Sequence, residues 1–412
     1  MRAVPSPRLV VVALASLSLG AALTACGKSG PPRTSAGEAS EAIPSMSAQG
    51  AVGVATRNTT RLGGGDPASD AAGVARAAYP GFTAASRPQA VVLVDGHDWA
   101  AALAASALAG APLGAPLLYS EGDALPAATA SAMRALHPTG AGALGGAQVI
   151  RIGASAPVPE GLRTRTVASD RGPAVAVAVE HLLELLRGEL PRQVIVLAED
   201  APRALQMPAA GLSAESGAPI LLVTAAGVPE ATAAELLRLG RPAIYVVDPS
   251  SVGGPTLAAL ARLGPVTAIP GGSTPGATGS PAENADAVAR FTDGSFGWGV
   301  KEPGHGLVFA NAGRPFDAPA GALLSASGNY GPLLLLESPG ALPTALASYL
   351  SDIQPAYGSA PRYQPVHGAY NHGWLIGDER AISAPAQAEI DTLLEISPRR
   401  VSSEETSASP TE

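Results

Sequence analysis

Three apolar–proline peptides fall at matching places along this chain and constrain its fold more than any other feature. They are Ala115-Pro116-Leu117-Leu118, Ala218-Pro219-Ile220-Leu221-Leu222 and Gly331-Pro332-Leu333-Leu334-Leu335. Each proline lies 25 residues beyond the start of an earlier apolar run, at Val91, Val194 and Leu307. A helix-opening proline follows at offsets of 10, 10 and 11, at Pro126, Pro229 and Pro343. Offsets held across three copies predict an internal triplication with a period of roughly a hundred residues. That is too long for a solenoid turn, so each copy is expected to be a small α/β domain.

The middle copy shows the pattern best. Gln193–Leu197, Ile220–Val223 and Ala243–Val247 are short apolar runs. Helix-compatible segments separate them, among them Glu230–Leu239 and Thr256–Leu263. Short runs of this kind between helices predict strands buried on both faces of a parallel sheet. The expected fold class is therefore α/β, with three tandem Rossmann-like domains packed into one body. The repeats are expected over residues 58–162, 163–271 and 272–397, and a disordered tail over 398–412. Each begins with a lead-in helix: Asp66–Tyr79, a helix opened by Pro173, and Ala282–Phe291.

The N-terminus reads as an address. Arg2 and Arg8 precede an apolar stretch of 15 residues, Leu9–Leu23, which is short for a bilayer span. Leu23-Thr24-Ala25-Cys26-Gly27 then resembles a bacterial lipobox. The resemblance implies cleavage after Ala25, lipidation of Cys26 and anchoring to the outer face of the cytoplasmic membrane. Cys26 is the single cysteine, so no internal disulfide is possible. Residues 26–57, rich in Ser, Gly, Ala and Pro, read as a flexible tether.

Of 412 residues only 15% are charged, and the formal net charge is −8. An acidic chain without a Lys/Arg cluster excludes a general nucleic-acid binder. No G-x-S-x-G, S-x-x-K, H-E-x-x-H or P-loop occurs. Gly140-Ala-Gly142-Ala-Leu-Gly145 has no strand before it and one after it, so it reads as a loop. Asp95-Gly96-His97-Asp98 is the best acid/base-looking cluster; its simplest reading is a strand-end turn with Asp98 capping the next helix. His367 and His372 lack further ligands nearby and read as surface or packing residues. Tyr357, Tyr363, Tyr370 and Trp374 read as packing at the end of the third copy, or as a platform for a sugar face.

With the copies aligned, the chain resembles the cell wall-binding repeat 2 family of Gram-positive surface proteins. The lead-ins Arg61-Leu-Gly-Gly-Gly-Asp66 and Arg165-Thr-Val-Ala-Ser-Asp170-Arg171 carry the resemblance. So do Asp98-Trp99-Ala-Ala-Ala-Leu103-Ala104, Leu125-Pro126, Leu342-Pro343 and Ile376-Gly377-Asp378-Glu379-Arg380-Ala381-Ile382-Ser383. Pro67 stands where the first lead-in would have its second Arg, and Ala268 and Ser273 depart from the pattern in the third. Ala201 and Arg314 stand where Asp98 aligns. Only the second copy keeps the full Arg…Asp-Arg set.

The resemblance implies a non-catalytic, lipid-anchored envelope protein that binds cell-wall glycan or an anionic wall polymer between repeats. Arg165, Asp170, Arg171, Arg61 and Asp66 are its expected polymer-binding residues, with no cofactor or metal. A structural reading of Arg165 and Asp170 stands beside this: Asp170 caps the following helix and pairs with Arg165. A solute-binding lipoprotein of a transporter and a wall-hydrolase accessory protein are the alternative functions, and an envelope protein is a possible partner.

Overall fold

A computed structural model describes residues 52–167, 171–272, 279–328, 330–358, 365–367 and 370–398. Its main feature is three parallel four-strand arrangements of one order. In the first, Val91–Asp95 lies between Leu117–Ser120 and Val149–Ile152, and Thr164–Val167 adds beyond Val149–Ile152. In the second, Gln193–Ala198 lies between Ile220–Val223 and Ala243–Val247, with Val266–Ile269 outermost. In the third, Gly306–Asn311 lies between Leu333–Leu336 and His372–Ile376, with Thr59–Leu62 outermost.

The outermost strand is always borrowed from the next lead-in. Thr164–Val167 leads into the second repeat yet pairs with the first sheet, Ile150 facing Arg165. Val266–Ile269 leads into the third yet pairs with the second sheet, Val246 facing Ala268. Thr59–Leu62 leads into the first repeat and pairs with the third sheet, Thr60 facing Trp374. The order of borrowing closes on itself, so the three repeats form a ring. Val52–Ala55, read from the sequence as the end of the tether, is a strand instead. It pairs antiparallel with Thr59–Leu62 and covers the edge of the third sheet. A small additional sheet joins Ala356–Tyr357, Pro365–His367 and Ser397–Pro398.

Strand alternation divides the core into layers. In Gln193–Ala198, Ile195 and Leu197 face one cluster shared by all three repeats, and Val194 and Val196 face an outer cluster under Leu236 and Leu260. In Gly306–Asn311, Val308 and Ala310 face the shared cluster, and Leu307 and Phe309 an outer one with Tyr349 and Ile390. Both faces are thus buried, which explains the unbroken Val/Ile/Leu runs.

The shared core is built on a helix between the first two strands of each repeat: Trp99–Ala105, Pro208–Ser216 (preceded by the short helix Arg203–Gln206) and Asp317–Ser325. Trp99–Ala105 and Asp317–Ser325 are buried at every residue, and Pro208–Ser216 over its first seven. Helices hidden all round need no polar face. They are rich in Ala and Gly because their backbones must approach closely. A Cβ on Gly211 would lie 2.7 Å from Ser325 Oγ, and one on Gly110 would lie 1.8 Å from the carbonyl oxygen of Ala214. Gly110 has an ordinary φ of −89°. Glycine is required there by space, not by backbone conformation.

Candidate functional site: the cleft between the first and second repeats

In each sheet the chain leaves the first strand toward one neighbour and returns to the other. Crevices form beyond the carboxyl ends of strands at such a switch point. In the first repeat this places Asp95, Gly96, His97 and Asp98 at the mouth of the crevice. Asp98 caps Trp99–Ala105, its Oδ1 accepting from Ala101 N at 3.0 Å, as the sequence leads one to expect. Asp95 Oδ1 accepts from His97 N and faces His97 Nδ1, both at 3.0 Å. Burial pushes Asp95 up, but hydrogen bonds from His97 and Gly122 outweigh it and hold the carboxylate below its ordinary range.

The second repeat supplies the opposite wall. His97, Asp98 and Trp99 face Arg171, Glu199 and Arg203 across a cavity of about 250 Å³. His97 also lines a second cavity of about 430 Å³, reached by Asp66, Ser120 and Glu121. His97 is the residue shared by the linings of both cavities.

Trp99 is the fixed part of the site. Its indole Nε1 donates to Gln206 Oε1 at 2.7 Å, and the Gln206 amide donates to Ala201 O at 2.8 Å and Ala198 O at 3.1 Å. Phe316, from the third repeat, meets Trp99 edge-on at 5.6 Å and Tyr119 at 5.5 Å. Tyr119 donates its hydroxyl to Phe316 O at 2.6 Å. The Arg203 guanidinium lies 5.9 Å from the Trp99 ring and 5.7 Å from that of Phe316. The first and third repeats thus contribute rings to one aromatic cluster, and the second lays a guanidinium over its face.

Arg171 and Arg203 are exposed and form no ion pair with a described residue. Glu199, across from them, is raised by burial first, then by Asp200 and Asp98. Gly172 lets the chain pass this carboxylate. Its φ is +61°, and a Cβ there would lie 2.8 Å from Glu199 Oε1. Two forked donors beside a carboxylate suit a ligand carrying anionic groups and hydroxyls.

The residues singled out from sequence are divided between junctions. Arg171 lines the cleft, and Arg165 is exposed on the borrowed strand Thr164–Val167. Asp170 and Cys26 lie outside the described residues. Arg61 and Asp66 sit where the third repeat meets the first. Asp66 caps Pro67–Ala78, accepting from Ser69 N at 2.9 Å, and is exposed. Arg61 is buried, with its donors directed to Gly377 O at 3.0 Å, Ile382 O at 2.6 Å and Gln387 Oε1 at 2.8 Å. Burial lowers its pKa although Glu379 and Asp378 oppose this.

Among the aromatics near the third sheet, Trp374 packs against the shared core. Tyr370 is exposed and bonds through its hydroxyl to His372 Nδ1 at 2.9 Å. Tyr363 lies outside the described residues. Sequence reasoning passed over Arg203 and Gln206. The repeat spacing carried a signal for Arg203: it follows Val194 by 9 residues, and Trp99 follows Val91 by 8.

No family model matches the chain, and no curated protein matches it. Among solved structures it is similar to Cwp6 from Clostridium difficile, with a TM-score of 0.61 at 16% identity over 82% of this chain and 48% of that one. It is similar also to Cwp8 from Clostridium difficile, with a TM-score of 0.59 at 16% identity over 82% of this chain and 52% of that one. The chain spans about half the length of each. At this identity the likeness is one of fold: the arrangement of α/β repeats built here on parallel sheets is shared with both.

Proposed function

We propose that this chain is a lipid-anchored, extracytoplasmic protein of the cell envelope. It holds an anionic wall polymer or cell-wall glycan, without catalysing a reaction, in the cleft between its first and second repeats. The observation that carries this reading is the pairing of Arg171 and Arg203 with Trp99 at the carboxyl ends of the strands. Guanidinium groups match phosphate and carboxylate, and the buried Trp99 ring holds the Arg203 group at the cleft. The repeat motifs and the fold shared with Cwp6 and Cwp8 support an envelope role. Because the chain is acidic, attraction to an anionic polymer has to be local.

The test is co-sedimentation. A Cys26→Ala chain, freed of any lipid contribution, is mixed with purified cell envelope of its own organism. Envelope stripped of its anionic polymers runs in parallel. Binding to intact envelope that drops on stripping supports the reading. Equal binding to both, or none, removes the anionic polymer as ligand. Turnover of purified peptidoglycan in the same mixture would overturn the non-catalytic part.

A further inference from the structure

In the second repeat, helix Pro173–Arg187, which packs on the shared core, and helix Glu230–Arg238 bring Glu180, His181 and Glu235 together. One donor atom from each lies within 4.8 Å of the others. Neither the wall-binding reading nor the motifs of the repeats involve them. The side chains of Glu180 and Glu235 are 0% and 3% exposed, and that of His181 is 51% exposed. The cluster is therefore a buried carboxylate pair with a histidine at its mouth.

Arg238 already serves one edge of this pair. Its guanidinium bonds to Glu235 Oε1 at 2.7 Å, Glu180 Oε2 at 2.8 Å and Glu184 Oε2 at 2.8 Å. Three carboxylates against one guanidinium leave two negative charges. Its Nε also reaches Glu235 Oε2 at 3.0 Å, so the oxygens nearest His181 share their lone pairs with Arg238. Glu180 Oε1 is buried and accepts no hydrogen bond among the described residues. Burial, with Glu235 beside it, raises Glu180 to about 8. One guanidinium does not offset both buried carboxylates.

We propose that Glu180, His181 and Glu235 form a binding site for a single divalent transition-metal ion of the zinc type. His181 Nε2 stands 3.0 Å from Glu235 Oε2 and 3.7 Å from Glu180 Oε2. Ligands about 2.0–2.1 Å from a tetrahedral zinc stand about 3.3 Å apart, between those two distances. A nitrogen with two carboxylates favours zinc-like ions over calcium or magnesium, which take oxygen alone. Arg238 remains in place: the ion displaces the Glu180 proton, and its divalent charge matches the two negative charges then left by one guanidinium against three carboxylates. The half-exposed imidazole is the entry side, and water fills the remaining position.

The experiment titrates the untagged full chain with zinc chloride by calorimetry, beside calcium chloride, and records melting temperature with and without zinc. One zinc per chain, a melting temperature raised by zinc, and weaker binding of calcium are expected. His181→Ala should weaken zinc binding tenfold or more, with its zinc-free melting temperature unchanged, because the ring is half exposed. His137→Asn, at a distant helix end, should bind zinc as the parent does. No zinc heat with no thermal shift, or zinc binding of unchanged affinity in His181→Ala, overturns the site. Calcium binding as tight as zinc overturns the metal class.

Discussion

Asp70 and Arg314 stand 244 residues apart in sequence and form a side-chain hydrogen bond that joins the first repeat to the third. Asp70 is fully buried on the lead-in helix Pro67–Ala78, and its Oδ1 accepts from Gly64 N at 2.6 Å. Arg314 also bonds Asp317 Oδ2 at 3.0 Å and approaches Asp378 Oδ1 at 3.7 Å. Arg314 occupies the position corresponding to Asp98, so this network fills in the third copy the place where the first copy has its cleft. One ring position is thus open and another is sealed by its own charges.

This seal has a pH dependence of definite sign. Burial, then Asp317, raises Asp70 to about 9 against the pull of Arg314. Burial likewise raises Asp317 to about 6, although Arg314 opposes it. Both carboxyls bind protons more tightly in the folded chain than in the unfolded one. The stability they contribute is present below the ordinary carboxylate pKa of about 4 and is lost as pH rises through about 6 and then about 9. Melting temperature should therefore fall from pH 5 to pH 9, and Asp70→Asn should flatten the upper part of that fall. A variant with the parent's pH profile would remove Asp70 as the cause. Arg314→Met, which leaves two buried carboxyls without their cation, should cost about 3–5 kcal/mol in urea denaturation.

Arg61 offers a test of structure against binding. Its guanidinium satisfies the carbonyls of Gly377 and Ile382 inside the third repeat. Arg61→Ala leaves them unpaired, at about 1–3 kcal/mol, while a chain that still folds should sediment with envelope as the parent does. Arg61→Lys cannot reproduce the fork and should recover only part of the loss. Unchanged stability with lost envelope binding would instead make Arg61 a ligand-contacting residue.

Gly110 tests the close packing at the centre. A Cβ there would overlap the backbone of Ala214, which a rotamer change cannot relieve. Gly110→Ala should destabilise by about 1–3 kcal/mol, as overpacking does. Gly188→Ala has free space around its Cβ but a φ of +73°, so its smaller loss comes from backbone strain alone. Equal losses at both positions would argue against repeat-to-repeat contact as the source at Gly110.

The interior of each sheet was legible because burial on both faces leaves a continuous apolar run. Val149–Ile152, Ile220–Val223, Ala243–Val247 and Leu333–Leu336 form as the runs predict. The borrowed strands were not legible. Thr164-Arg165-Thr166-Val167 lies at a sheet edge, largely exposed, and carries no apolar signature. Its partner is given only by the closed ring, a long-range relationship that no local pattern encodes. The same holds for the cleft: Arg171 was singled out through the lead-in motif, whereas Arg203 becomes visible only when the second repeat faces Trp99.

Cys26 carries the anchoring prediction. The stretch before it is apolar and followed by small residues up to the cysteine. If Cys26 is lipidated as proposed, two acyl chains would supply the attachment, and Cys26→Ala should move the chain from the membrane fraction to the soluble fraction and abolish labelling by a palmitate analogue. A variant that remains with the membrane would mean that the apolar stretch itself, or a partner, holds the chain there.

The last prediction separates the two arginines of the cleft. Arg171 and Arg203 are both exposed, so replacing either with Ala should change stability by less than about 1 kcal/mol. Arg171→Ala removes one charge from the rim and should weaken envelope binding modestly, with a shallower salt dependence. Arg203→Ala also removes the guanidinium lying over Trp99 and Phe316. It should weaken binding more, in a part that persists at high salt, because stacking and desolvated contacts are screened less than exposed charge. Arg203→Lys should restore the salt-sensitive part and not the remainder. If both alanine variants lose binding equally and only at low salt, the aromatic cluster takes no part in recognition. If neither loses binding at any salt concentration, the ligand does not lie between the first and second repeats.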